Sequence, residues 1–188
     1  MSRFQMSRRQ SLQWLGLAFA TSAMATELPG DSVYQLRVPL TDQHGRPFDW
    51  ASLRGQPVLA SMFYSSCDKV CPMIFETLHL TLKALPARER APVKVLMISF
   101  DPTRDTVPVL QRTAQAHACD ERWTLARTDE ASTRKIAAAL GVQYRRLSNG
   151  EFNHSSTLLM LDLQGRIAAH SGSLGSVDAA LLKALHHV

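Results

Sequence analysis

Two stretches, "GQPVLASMFY" (55–64) and "VKVLMISF" (93–100), constrain the fold more than any other feature of the chain. Each is a short and nearly unbroken apolar run. A strand with one wet face alternates apolar and polar residues; a strand covered on both faces does not. Both runs are therefore predicted as central strands of a sheet with other elements packed on either side. Between them, "PMIFETLHLTLKAL" (72–85) places Ile74, Leu78, Leu82 and Leu85 at three- and four-residue intervals. That is the period of a helix, and Pro72 suits its first turn. Strand, helix, strand in this order describes an α/β sheet.

The flanking segments extend the pattern. Tyr34, Leu36 and Val38 alternate as a strand does, and "TDQHGRPFDW" (41–50) reads as a hairpin turning at Gly45. "TVPVLQRTAQAHA" (106–118) and "DEASTRKIAAALG" (129–141) are predicted helices on either side of a short strand, "RWTLAR" (122–127). Asn149-Gly150 signals a second hairpin. "STLLMLDLQGRIAAHSG" (156–172) gives two strands around Gly165, and "SVDAALLKALHHV" (176–188) a closing helix with Ser176 as its N-cap. A chain of 188 residues, 45% hydrophobic, suits one globular domain. The predicted architecture is a thioredoxin-like α/β fold with an N-terminal β-hairpin and a hairpin insertion before the His154 strand.

Residues 1–25 read differently. A basic start, "MSRFQMSRR", precedes the apolar run "LQWLGLAFATSAMA" that ends in Ala23-Met24-Ala25. This predicts a secretory signal cleaved after Ala25, ahead of a domain spanning 26–188, with a retained single-helix anchor as the other reading. Ser7-Arg8-Arg9-Gln10-Ser11-Leu12 resembles a twin-arginine signal, with Ser11 where a bulky apolar residue is usual. Either way the expected compartment is oxidising, the bacterial periplasm. The leader holds Arg3, Arg8 and Arg9 and no acid, so the formal net charge falls from +5 to +2 without it. With no basic stripe in the remainder, nucleic acid is not an expected partner.

Cys67 and Cys71, in "FYSSCDKVCPM" (63–73), sit where a buried strand hands over to a helix. A thiol facing a helix N-terminus has its thiolate favoured, which makes it a nucleophile and a soft-metal ligand. A structural disulfide here would close a very small loop and stabilise little. A redox pair and a metal clamp therefore stand ahead of it. A clamp needs a third donor, and His154 stands out among the seven histidines. It follows the second hairpin and directly precedes the apolar strand. In a thioredoxin-like sheet the chain passes the cysteine loop at this point. Thioredoxins place a proline there, but no proline occurs between Arg145 and Asp162. Two thiolates and an imidazole suit copper(I), and copper(II) with a further ligand.

"CDKVCP", "SFDPTRDT" and "NHSS", in this order and spacing, resemble the Sco/SenC family of copper-binding assembly factors. The likeness runs from about Tyr34 to the C-terminus. It implies a thioredoxin fold and copper ligands Cys67, Cys71 and His154. It also implies a partner, the CuA domain of cytochrome c oxidase or another cuproprotein, which receives copper or has its cysteines reduced before loading. Lys69 stands where many relatives carry an acid, and the leader looks cleavable where many keep a membrane anchor.

Within "SFDPTRDT", Asp101 and Arg104 are candidate accessory residues that orient a ligand or steer an acidic partner. The structural alternative has Asp105 or Thr106 capping the next helix and Arg104 pairing with Asp101. Cys119 is expected to pack as a small hydrophobe, Met73 to lie in the core, and the Tyr64 ring to pack. Two functions follow: a copper chaperone, or a periplasmic thiol–disulfide oxidoreductase in which Cys67 attacks and Cys71 resolves. A peroxiredoxin-type peroxidase fits less well, because Tyr64 stands where that chemistry wants Thr or Ser.

Overall fold

The computed structural model describes residues 27–188; the predicted leader lies outside the described residues. The chain opens with a 3-10 turn at Val33–Gln35, then strands β1 (Leu40–Asp42) and β2 (Pro47–Phe48) and a second 3-10 turn at Trp50–Leu53. Strand β3 (Val58–Phe63), helix α1 (Val70–Ala84), the short α2 (Ala87–Arg90) and β4 (Lys94–Ser99) follow. Next come α3 (Val107–Ala116), β5 (Trp123–Arg127), α4 (Glu130–Ala139), β6 (Tyr144–Arg146) and β7 (Phe152–His154). The chain ends with β8 (Leu158–Leu161), β9 (Ile167–Ser171) and α5 (Ala179–Leu185).

Seven strands form one sheet in the order β2-β1-β5-β4-β3-β8-β9. The central β3, β4 and β5 are parallel, while β1 and β8 run antiparallel to their inner neighbours. The two apolar runs are the central strands expected: every residue of β3 and all but Lys94 of β4 are buried. Helices α1 and α5 pack together beside β3, β8 and β9, and α3 packs on β5 and β1. This is a thioredoxin-like fold. Strands β6 and β7 pair only with each other, as a separate two-stranded hairpin.

Several local expectations are corrected. Tyr34 lies in a 3-10 turn rather than a strand, because the Ser32 hydroxyl accepts the Tyr34 N–H and nucleates the turn. The Leu36 carbonyl accepts the Trp50 indole N–H at 2.8 Å and so serves no ladder. Asp178, not Ser176, caps α5: its carboxylate accepts the N–H groups of Ala180 and Leu181. Its own N–H is held by the Thr81 hydroxyl, which fixes where the helix starts. Met73 is 40% exposed on the outer side of α1 instead of in the core.

Helix α3 ends in a tight C-cap. The N–H of Cys119 reaches back to the Ala114 carbonyl and that of Ala118 to Gln115. The turn places Ala118 at φ 50, in the left-handed region that glycine tolerates and alanine resists. Ala118→Gly is therefore expected to raise stability by about 1 kcal/mol, read as a higher urea midpoint with unchanged slope.

Candidate metal centre

The parallel strands β3 and β4 end on the same sheet edge, where open α/β sheets build their sites. From β3 the chain passes Tyr64, Ser65 and Ser66 to Cys67 and enters α1 at Val70, earlier than the Pro72 start predicted. Cys71 is thus in the first helical turn and not in the loop. The cause is sulfur capping. Lys69, at the N-cap position, makes no side-chain cap bond. The Cys67 Sγ instead accepts the Cys71 N–H at 3.3 Å, with the Lys69 and Val70 N–H groups also directed at it.

This arrangement divides the two thiols. Burial alone would raise the Cys67 thiol, but the N–H groups of Cys71, Lys69 and Val70, together with the Cys71 side chain, outweigh it and hold the thiol below its ordinary value. Burial pushes Cys71 well above the ordinary range, with the Cys67 and Asp105 charges adding to it. Cys67 is partly exposed and Cys71 is 2% exposed. All three cysteines are free thiols here.

His154 is the last residue of β7, so it belongs to the hairpin itself rather than to the strand that follows. Its ring sits edge-on to Tyr64, centroids 5.8 Å apart, and tilted against Phe100 at 5.0 Å. Nδ1 lies 3.1 Å from the Ser155 carbonyl, which can only accept, so Nδ1 carries the proton. The bare Nε2 faces Cys71 Sγ at 4.0 Å. The donor atoms of Cys67, Cys71 and His154 all lie within 4.8 Å of one another, the one such metal-competent trio among the described residues. Beside them a groove of about 280 Å³ is lined by Tyr64, Cys67, Asp68, Lys69, Glu151 and His154, among others. The Tyr64 hydroxyl donates to Glu151 at 2.8 Å, so this residue both packs and lines the site.

Asp101 and Arg104 lie beside the centre and donate nothing to it. They pair with each other, as the structural alternative held. The capping expectation is corrected. Thr106 stands at the N-cap of α3 without a side-chain bond. Asp105, 1% exposed, accepts instead from the Ser65 N–H and hydroxyl and from the Ser99 hydroxyl. Sequence reasoning missed Asp105, Ser65, Ser99 and Glu151 as supports of the site. The one signal available was the low apolar content of "SFDPTRDT" straight after a buried strand. His117 stacks on Phe75 at 4.0 Å, and the Cys119 thiol, pushed up to about 12 by burial and the Asp120 charge, points at the His117 carbonyl. Among the described residues this His–Cys pair gains no third donor.

A thioredoxin-like domain with two thiols and an imidazole convergent at a helix mouth defines a class of soft-metal or thiol-redox protein. The SCO1/SenC family model matches residues 29–187, and the chain belongs to that family. The bovine mitochondrial SCO2 homolog is 38% identical over 77 residues, 40% of this chain and 29% of that protein. Yeast mitochondrial SCO2 is 33% identical over 72 residues, 38% of this chain and 24% of that protein, so the match spans under a third of either relative. Arabidopsis thaliana ScoI with copper bound superposes at TM-score 0.70 and 16% identity, covering 81% of this chain and 98% of that one. A SCO1/SenC family lipoprotein from Bacillus anthracis gives 0.72 at 19% identity, covering 81% and 92%. These two likenesses show the fold.

In the reduced protein, iodoacetamide is expected to label Cys67 first. Thiolate forms as pH rises through the depressed value, so labelling should reach half its plateau rate at a lower pH than for an ordinary solvent-exposed cysteine. Cys71 should react only on unfolding, and Cys119, partly exposed but with its thiol held protonated, far more slowly than Cys67, as read by peptide mass spectrometry. Equal labelling of Cys67 and Cys71 in the folded state would contradict the division of the two thiols.

Proposed function

We propose that the protein binds copper(I) through Cys67, Cys71 and His154 and passes it to a cuproprotein acceptor, the CuA domain of cytochrome c oxidase being the acceptor that the family likeness suggests. The observation that carries this reading is the convergence of three soft donors within 4.8 Å at one helix mouth. Three atoms no farther apart than this leave a central ion at most about 2.8 Å from each, and bonds from thiolate and imidazole to a d10 ion run about 2.0–2.3 Å. Closing on the ion therefore takes displacements of at most about 0.5–0.8 Å. Charge balance agrees, because the helix N–H groups offset the negative thiolates. Transfer proceeds by ligand exchange: the partly exposed Cys67 meets the acceptor, and the buried Cys71 and the imidazole release afterwards. The copper-bound Arabidopsis relative supports the choice of metal. The leader reading of residues 1–25 supports a site of action outside the cytosol, in the periplasm, with the domain either released or held by its leader. No helix of the described residues is long and apolar enough to cross a membrane.

The unequal thiols favour a second reading in the same site. Cys67, with its favoured thiolate, attacks a disulfide of a partner, and the partner's first sulfur leaves as a thiolate. Cys71 then gives up its proton to that thiolate or to solvent and attacks the Cys67 sulfur, so that a Cys67–Cys71 disulfide forms and the partner's second sulfur leaves and takes a proton from solvent. The two activities are compatible, since copper(I) requires the reduced pair.

Titration of the reduced protein is expected to give one copper(I) per chain, with X-ray absorption reporting two sulfur neighbours and one nitrogen. His154→Ala should weaken binding by about 100-fold and remove the nitrogen neighbour. Unchanged affinity removes His154 from the coordination sphere. For the redox reading, Cys71→Ser should accumulate mixed disulfides, while His154→Ala should leave exchange intact.

A further inference from the structure

We propose that the Asp101–Asp105 segment sets the gap between the sulfur pair and the imidazole, with Arg104 as the positioning residue that holds His154 over the cysteines. This deepens the copper reading and rests on it for one arm of its test. The hairpin that carries His154 shares no ladder bonds with the seven-stranded sheet, so something else must fix where the imidazole sits. Aromatic packing of Phe152 and His154 against Tyr64 and Phe100 gives contact but little direction. Direction comes from Arg104, together with the Tyr64 hydroxyl bond to Glu151 at 2.8 Å. The Arg104 Nε is anchored on the buried Asp101 carboxylate. One Nη donates to the Gly150 carbonyl at 2.7 Å, and the other lies 4.0 Å from the Glu151 carboxylate. The guanidinium also sits 5.8 Å from the Phe152 ring centroid. One side chain therefore grips the hairpin turn and the two residues leading to Asn153 and His154. The other end of the segment grips the sulfur loop: Asp105 accepts the Ser65 N–H at 3.1 Å, two residues before Cys67.

The chemistry calls for arginine. A planar fork bonds a carboxylate, a carbonyl and a ring face at once; a lysine ammonium offers one compact charge on a flexible stem. A hairpin free to swing presents His154 only part of the time, and apparent affinity falls by that fraction.

The test combines amide hydrogen exchange of the metal-free reduced protein with copper(I) titration against a competing chelator. Arg104→Ala is expected to speed exchange across 150–154 at least tenfold while β3 and β4 keep their protection. It should lower copper(I) affinity about tenfold when His154 is present and not at all in the His154→Ala background. Arg104→Lys, which keeps the charge, should give the same pattern at smaller amplitude. Asp105→Asn should loosen 65–71 and spare the hairpin. Unchanged exchange in the hairpin, or an equal affinity loss with and without His154, overturns the proposal. If the wild-type protein binds no copper(I), the copper reading fails by itself, and the exchange pattern still decides whether Arg104 positions the hairpin.

Discussion

The bonds from the first-turn N–H groups of α1 to the Cys67 sulfur are what the rest of the site depends on. They replace an ordinary side-chain cap, and so decide that the helix begins at Val70. That start turns Cys71 inward among buried residues and leaves Cys67 at the groove. The same bonds stabilise negative charge on the outer sulfur while burial disfavours it on the inner one. One local feature thus gives two chemically unlike thiols four residues apart.

The imidazole arrives by a separate route. Its proton is fixed on the outer nitrogen by a backbone carbonyl, so the inner nitrogen presents a lone pair without help from a carboxylate. A neutral carbonyl in this role adds no further negative charge to a site already rich in it. The aromatic group of Tyr64, Phe100, Tyr144 and Phe152 walls the hairpin side of the centre and keeps that donor in a largely apolar setting.

The central sheet and the metal-competent trio were legible because both write long-lived patterns into the chain. Unbroken apolar runs such as 58–63 admit few placements, and two cysteines at a strand-to-helix handover leave a narrow choice of chemistry. What escaped were contacts between short polar residues. Ser32 captures the Tyr34 N–H and converts an apparent strand into a turn. Asp105 resembles a helix cap but bonds across to Ser65, 40 residues away, and Asp178 outcompetes Ser176 because Thr81 pins its backbone. Such choices rest on tertiary neighbours that no local window contains. Met73 stands one residue before the buried Ile74–Leu78–Leu82–Leu85 series and faces outward, since an apolar side chain next to a helix's core face need not belong to it.

Strands β6 and β7 bond to each other alone, and their tip at Leu147, Ser148 and Asn149 is exposed. A residue gained or lost there alters no register in the larger sheet and opens no void beneath it. The apex side chains can therefore change, and with them the outline beside the groove, while the body stays the same, provided the Gly150 carbonyl remains within reach of Arg104.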